Sequence, residues 1–476
     1  MKKLMDFTRN LGYSTISPDQ FKKLHFAAIE ILDRIGVDVL SSEALELLKM
    51  AGARVEGENA KIPEWMVKEA LAFAPSSIHV RDRNGKRAMT LENGRSYYGT
   101  GSDTQFVYDI YTGEHRAAVK QDVANAALVC DALANIDFVM SMGVISDVPT
   151  NKSYVHQFEA MALNTEKPII YTAGNLNDIK EIYEIASIVS GGEDKLRDNQ
   201  YIILYNEPSS PLLHTTEALE KLLFCAEKRI PVVYVPAVIL GATGPVTPAG
   251  ALAQANAEVL SGLVIHQLKA KGSPFIAGGG APPMDLRTMV CSYGAPERDL
   301  TCTSLVAMAR YYDLPVFTAA GCSDAQTFDQ QAGLEAGFNL LVSGLAGGNL
   351  IHDVGYLGIG MTASLEALVL CNEGISMVRR LLRGVEVNET TLALDVIEEV
   401  GPAGNFMSEE HTAEHCRDSI WVPELLNRMD YDNWKNSGGT TFQERANKKI
   451  REILENHRVK ALPEETLLRI KAIVHG

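Results

Sequence analysis

Tyrosines and carboxylates recur together along this chain, and neither lysine nor arginine stands with them. Tyr97, Tyr98, Tyr205, Tyr234 and Tyr356 lie in or just beyond short apolar runs, accompanied by Asp103, Asp147, Glu207, Asp324 and Asp353. A quaternary ammonium can neither donate nor accept a hydrogen bond, so it is held by aromatic faces and nearby negative charge. The bland alternative is that each tyrosine packs between strand and helix with its hydroxyl on a backbone carbonyl. The absent lysine argues against Schiff-base chemistry. The absent arginine (Arg287 lies further out) weakens a phosphate site, although Gly355, Gly358 and Gly360 would suit a phosphate-binding loop. His352 is either a buried histidine on a backbone group or part of a pocket wall. Cys322 would need a partner base to act as a nucleophile, and none is identifiable. HTAEH, from His411 to His415, would put two histidines on one helical face. It lacks the glutamate that a zinc hydrolase carries beside its first histidine. No acidic pair shows a metal-ligand spacing, so no metal site is expected.

These residues are positioned by eight apolar runs, each opening into a polar or glycine-rich patch and followed by a helix-like stretch. The runs begin at Ser96, Phe138, Pro168, Tyr201, Pro231, Pro274, Pro315 and Asn349. Eight strand–helix units predict an α/β chain forming a (β/α)8 TIM barrel, with its chemistry at the C-terminal ends of the strands. Four runs open on proline, which is tolerated at a strand's first residue. Residues 1–95 read as an N-terminal helical cap, with helices starting near Ser17 and Ser41 and stopping at Gly36 and Gly52. The barrel spans 96–375, and 376–476 reads as a C-terminal helical extension.

The chain has 476 residues, 46% hydrophobic and 22% charged, with a net charge of −16. That balance, with no long basic run, excludes a nucleic-acid binder. Seven scattered cysteines without a C-x-x-C argue for a reducing compartment, hence a cytoplasmic protein. The N-terminal MKKLMDFTRN lacks the apolar core of a secretory signal, and no apolar stretch is long enough to span a membrane.

Three long segments carry a resemblance: AAIEILDRIGVDVLSSEALELLKMAGARVEG, GCSDAQTFDQQAGLEAGFNLLVSGLAGGNLIHDVGYL and HTAEHCRDSIWVPELLNRMDYDNWKNSGGTTFQERANKKIREIL. With them the chain resembles, nearly end to end, the trimethylamine methyltransferase superfamily of corrinoid-dependent enzymes. Its founding members carry pyrrolysine inside the barrel; this chain shows none, which places it in the branch acting on quaternary amines such as glycine betaine, proline betaine or carnitine. The resemblance implies transfer of an N-methyl group to Co(I) of a separate corrinoid protein, with no cofactor bound tightly by this chain. It implies substrate-binding residues more than acid–base catalysts, so the catalytic set stays unassigned. From strand-end position, Tyr98, Tyr205 and Tyr356 are the candidates for a cation cage, Asp103 and Asp324 for added charge, and Asn206 and His352 for a substrate carboxylate. Large apolar residues in the C-terminal extension suggest a homo-oligomer. Two alternatives stay open: a barrel lyase or isomerase using a phosphate or metal, and a non-catalytic betaine-binding relative.

Overall fold

The β-branched and aromatic runs pair side by side into one parallel sheet. The structure, a computed structural model, describes residues 12–476; the stretch MKKLMDFTRN lies outside the described residues. The strands are β1 (Tyr97–Tyr98), β2 (Ile169–Tyr171), β3 (Ile202–Asn206), β4 (Val232–Tyr234), β5 (Phe275–Gly278), β6 (Val316–Ala319) and β7 (Leu350–His352). Their order in the sheet is β1-β7-β6-β5-β4-β3-β2, every pair parallel. The sheet curls until its two edges meet one segment: Gly99 on the β1 side bridges Phe138, and Val139 bridges Ile169 on β2. Gly99 permits that approach, because a Cβ there would lie 2.3 Å from the Phe138 ring.

Helices α1 (Lys120–Ala132), α2 (Ser153–Asn164), α3 (Leu176–Ser190), α4 (Thr216–Lys228), α5 (Pro248–Lys269), α6 (Pro296–Tyr311), α7 (Gln330–Ala346) and α8 (Leu365–Leu382) alternate with the strands. Strand alternation separates two cores. Ile170, Ile203, Val233, Ile276, Phe317 and Leu350 fill the inside of the curl. Ile169, Ile202, Leu204, Val232, Tyr234 and Ile351 face outward and pack with the helices. An antiparallel hairpin, Ile78–Arg81 with Arg87–Leu91, adds Ile78, Val80, Met89 and Leu91 to the inner cluster. It enters at the N-terminal end of the strands, where Arg81 N–H donates to Gln200 O at 2.8 Å and Asn349 Nδ2 to Glu92 O at 2.7 Å.

The stretch up to residue 95 holds more than the helices expected of it. Helices Pro18–Glu30, Ser42–Ala51 and Glu64–Phe73 are present, the first with the Ser17–Gln20 capping box. Short strands Val37–Val39, Arg54–Glu56 and Asn59–Lys61 lie between them, and the first pairs in parallel with Leu213–His214 from the loop after β3. Three-residue strands are too short for a period-two pattern to be read. The boundary expected after residue 375 falls inside α8, which continues to Leu382.

Beyond α8, helices Glu389–Leu392, Leu394–Val400 and Glu410–Ser419 bury no residue. This arm is pinned at its foot, where Arg380 Nη2 donates to Ser419 O at 2.8 Å and Arg383 Nη1 to Asp418 O at 3.1 Å. Helix Phe442–Asn456 returns to the body and buries Ala446, Ile450 and Ile453. Among the described residues no helix is long and apolar enough to cross a membrane.

One half-buried lysine ties a helix end to the sheet. Lys167, just before β2, donates from Nζ to the carbonyls of Cys130, Leu133 and Ile136 at 2.5, 2.7 and 2.6 Å. Carbonyls at a helix C-terminus lack intrahelical partners, and a cation there also meets the helix dipole favourably. Burial lowers the Lys167 pKa. Lys167→Met leaves three carbonyls without that donor and is expected to destabilise the fold by about 2–3 kcal/mol, read as a lowered melting temperature by circular dichroism.

Candidate functional site

The C-terminal ends of β3, β5, β6 and β7, with the loops beyond them, enclose a cavity of about 390 Å³. Its floor is aromatic. The His352 ring stacks on Phe317 with centroids 4.1 Å apart, and Tyr205 lies 5.5 Å from Phe317 and 6.1 Å from His352. These rings cap the inner cluster, so the space below them is filled by side chains.

Three carboxylates rise from this floor. The Tyr205 hydroxyl donates to Glu207 Oε1. Ser102 Oγ donates to Asp103 Oδ2 at 2.8 Å, while Asp103 Oδ1 is buried with no hydrogen-bond partner among the described residues. Asp353 Oδ2 accepts from Arg298 Nη2 at 2.5 Å, and its Oδ1 lies 2.7 Å from His352 Nδ1, close enough for an ion pair but not aligned for a hydrogen bond. Arg298 comes from the first turn of α6. Its other terminal nitrogen reaches Cys322 Sγ at 2.5 Å, and its guanidinium covers the Tyr293 ring at 4.5 Å. The Tyr356 hydroxyl donates to Ser102 O across Gly101, where a Cβ would lie 2.3 Å from that hydroxyl and 2.6 Å from Asp353 Oδ1.

The backbone that presents these groups is strained. Asp103, Asp353 and Ile359 have φ of 67°, 72° and 60°. Aspartate tolerates this region better than most residues, but for a β-branched isoleucine it is an outlier. Such conformations persist only when the surroundings over-determine them, and they concentrate at functional sites.

Four of the seven residues chosen from the sequence line this cavity: Asp103, Tyr205, His352 and Tyr356. Tyr98 does not; it is buried in the outer core, with Arg379 5.6 Å from its ring. Tyr97 is the residue of that pair that packs with the inner cluster. Asn206, next after Tyr205, likewise turns outward and donates to Ala218 O of α4 at 2.8 Å. Asp324 supports the site from outside, accepting the Tyr293 N–H at 2.7 Å and the Ser292 hydroxyl. Of the other strand-end residues, Asp147 accepts the Lys120 N–H at the start of α1, and Tyr234 bonds His214 Nδ1 at 2.6 Å in the outer core. His411 and His415 share a face of the exposed arm, ring centroids 4.4 Å apart, away from the cavity. Among the described residues no three His, Cys, Asp or Glu side chains are grouped to hold a metal.

Strand-end reading singled out Glu207 among the carboxylates without choosing it for the substrate, and it missed Tyr293, Phe317 and Arg298. The expectation that no arginine stands at the site is corrected by Arg298, which arrives on the helix after β5 rather than on a strand. A signal was present: an arginine in a helix's first turn opposes the helix dipole, so it implies a partner elsewhere.

A sequence profile described as trimethylamine methyltransferase (MTTB) matches residues 3–475. Trimethylamine methyltransferase MttB of Desulfitobacterium hafniense is 33% identical over 465 residues, covering 97% of this chain and 94% of that protein. MttB of Methanosarcina thermophila is 33% identical, covering 95% of each chain. A glycine betaine methyltransferase of Desulfitobacterium hafniense is 29% identical, covering 97% of this chain and 96% of its own. Among solved structures, the monomethylamine methyltransferase MtmB of Methanosarcina barkeri aligns with a TM-score of 0.47 at 11% identity, over 95% of this chain and 90% of that one.

Burial sets the electrostatics of the cavity. It raises the pKa of Asp103, although the Ser102 and Thr172 hydroxyls and Lys221 oppose it. Glu207 is exposed as a residue, but desolvation by the surrounding walls raises its pKa too, with Asp103 and Asp353 adding like charge against the Tyr205 hydroxyl and Lys221. Burial would also raise Asp353, but His352 and Arg298 outweigh it and hold that carboxyl below its usual value. Burial pushes the Cys322 thiol up as well, away from a thiolate. A carboxyl whose folded pKa is raised destabilises the fold above that pKa, and the penalty vanishes below the unfolded value. Glu207→Gln keeps an acceptor for Tyr205 and removes the charge. Because Glu207 is exposed and its charge is partly screened, the variant is expected to raise the melting temperature only slightly at pH 8 and to leave it unchanged at pH 4, in thermal denaturation across that range.

Proposed function

This chain belongs to the trimethylamine methyltransferase family, and on that premise we propose that it takes a methyl group from a quaternary amine. The acceptor is the Co(I) corrinoid of a separate corrinoid protein, and a tertiary amine is left. The observation that carries this reading is the cavity itself: an aromatic floor ringed by carboxylates, at the C-terminal ends of parallel strands. With Phe138–Val139 taken as an eighth stave, the curled sheet is a (β/α)8 barrel, and that end is where such barrels do chemistry. The relatives' names, trimethylamine and glycine betaine methyltransferase, support methylated amines as the substrate class.

In the proposed reaction the N–CH3 bond breaks, its electron pair stays on nitrogen, and the methyl passes to the nucleophilic Co(I). No proton moves, so the site needs no general acid. Its residues have to hold one methyl in line and exclude water. Tyr205, Phe317 and Tyr356 supply aromatic surface, and Asp103 Oδ1 and Glu207 supply negative charge at the ammonium. Charge that meets substrate and transition state equally gives affinity, not rate. We assign no tightly bound cofactor to this chain; the corrinoid comes and goes with its carrier as a second substrate. A phosphate reading loses support because Arg298 is already paired with Asp353.

We also read the chain as a cytoplasmic homo-oligomer that contacts neither membrane nor nucleic acid, built as a cap, a barrel and an extension. The arm supports the oligomer. Val385, Val387, Leu394, Ile397 and Met407 are all exposed on it, a density that isolated monomers avoid.

Three measurements test these readings. With a reduced corrinoid protein, methyl–cobalt absorbance is expected to form with a quaternary amine and not with trimethylamine. Tyr205→Leu should weaken substrate affinity about tenfold, the scale of a desolvated cation–π contact. Silence toward every methylated amine, with a competent acceptor, would count against the function. Light scattering is expected to give at least twice the 51.9 kDa chain mass, and Leu394→Asp with Ile397→Asp should return it to one chain.

A further inference from the structure

The cavity's charges are unevenly matched, and the mismatch bears on what else the substrate carries. Among the described lining residues Arg298 is the one permanently charged cation, and it is already used. Its two terminal nitrogens sit on Asp353 Oδ2 and Cys322 Sγ, each at 2.5 Å, and its face is on Tyr293. The Arg298 and Asp353 side chains are each 5% exposed, so the pair is largely shielded from solvent. His352 faces the other oxygen of the same aspartate. Asn206, a candidate donor for a substrate carboxylate, spends its amide on Ala218 O behind the strand. Lys221 lies behind the wall and donates to Ala173 O at 2.8 Å; it meets Asp103 and Glu207 only through space. Asp103 and Glu207 therefore line the cavity as acidic groups with no cation bonded to them; both pKa values are raised, and a bound ammonium opposes that shift by favouring the charged forms.

We infer that the substrate is a quaternary ammonium carrying no carboxylate, such as a choline-like or tetraalkylammonium cation, rather than a zwitterionic betaine. A betaine's carboxylate would leave water for a space whose one guanidinium is engaged, whose unpartnered Thr318 hydroxyl is neutral, and whose acidic groups oppose a second anion. The inference rests on the function proposed above and narrows the betaine-type expectation from the sequence. It uses a general rule of specificity: a site rejects a competitor by unpaired or like charge as much as it selects by contact.

The test uses the full-length wild-type chain and calorimetric titration at pH 7, with no corrinoid protein present. Glycine betaine is compared with its methyl ester, which keeps the ammonium and lacks the negative charge; choline, tetramethylammonium and carnitine complete the panel. The ester, choline and tetramethylammonium are expected to bind at least tenfold more tightly than glycine betaine and carnitine. Equal or tighter binding of glycine betaine or carnitine would overturn the inference and leave the proposed methyl transfer standing. Absence of heat with every cation would overturn both. In Asp353→Asn, Arg298 loses its partner, and the gap between ester and betaine is expected to close. An unchanged gap in that variant, folded by circular dichroism, would refute the assignment of Arg298 and Asp353 as the pair that excludes the carboxylate.

Discussion

The ion pair between Arg298 and Asp353 is the constraint on which the site is built. Both groups are buried, and a buried charge is tolerated only with a partner and good geometry. Meeting that demand fixes the first turn of α6 against the end of β7, two elements 55 positions apart in sequence. Asp353 then sits with positive φ, turns its second oxygen toward His352, and leaves that ring stacked on Phe317. Tyr356 follows three residues later and reaches across Gly101 to Ser102. Removing one member of such a pair leaves the other charge uncompensated, so the arrangement stands as a unit.

The eight runs were legible because parallel strands covered by helices on the outside and side chains within are apolar on both faces. Every run expected to be a strand is a strand or, at Phe138–Val139, a bridged segment. The site was legible only in part. Position at a strand end says which mouth a residue is near, whereas facing depends on a register of two that a single slip reverses. Tyr205 and Asn206 are neighbours with opposite fates, as are Tyr97 and Tyr98, and nothing in composition tells one from the other. Arg298 was hidden for another reason: it is delivered by a helix start, so its nearness to Asp353 is a fact of tertiary structure alone.

The strain and the electrostatics point the same way. Asp103 and Glu207 are held with raised pKa values, and Asp103 and Ile359 in unfavourable backbone conformations. A sequence selected only for stability would relax these features, since each costs folding free energy without adding a core contact. They are intelligible as the stored complement of a positively charged guest.

The hairpin that enters the N-terminal end of the strands has a consequence for timing. Ile78, Val80, Met89 and Leu91 fill the inner space beneath the aromatic floor and close the cavity from the N-terminal side. A small molecule and a large protein-borne acceptor would then share one doorway. Under the proposed methyl transfer, the guest would have to be seated before the acceptor docked, and its remnant would leave only after the acceptor had gone. Turnover would then follow a compulsory order, and an excess of acceptor would slow it by standing in the door.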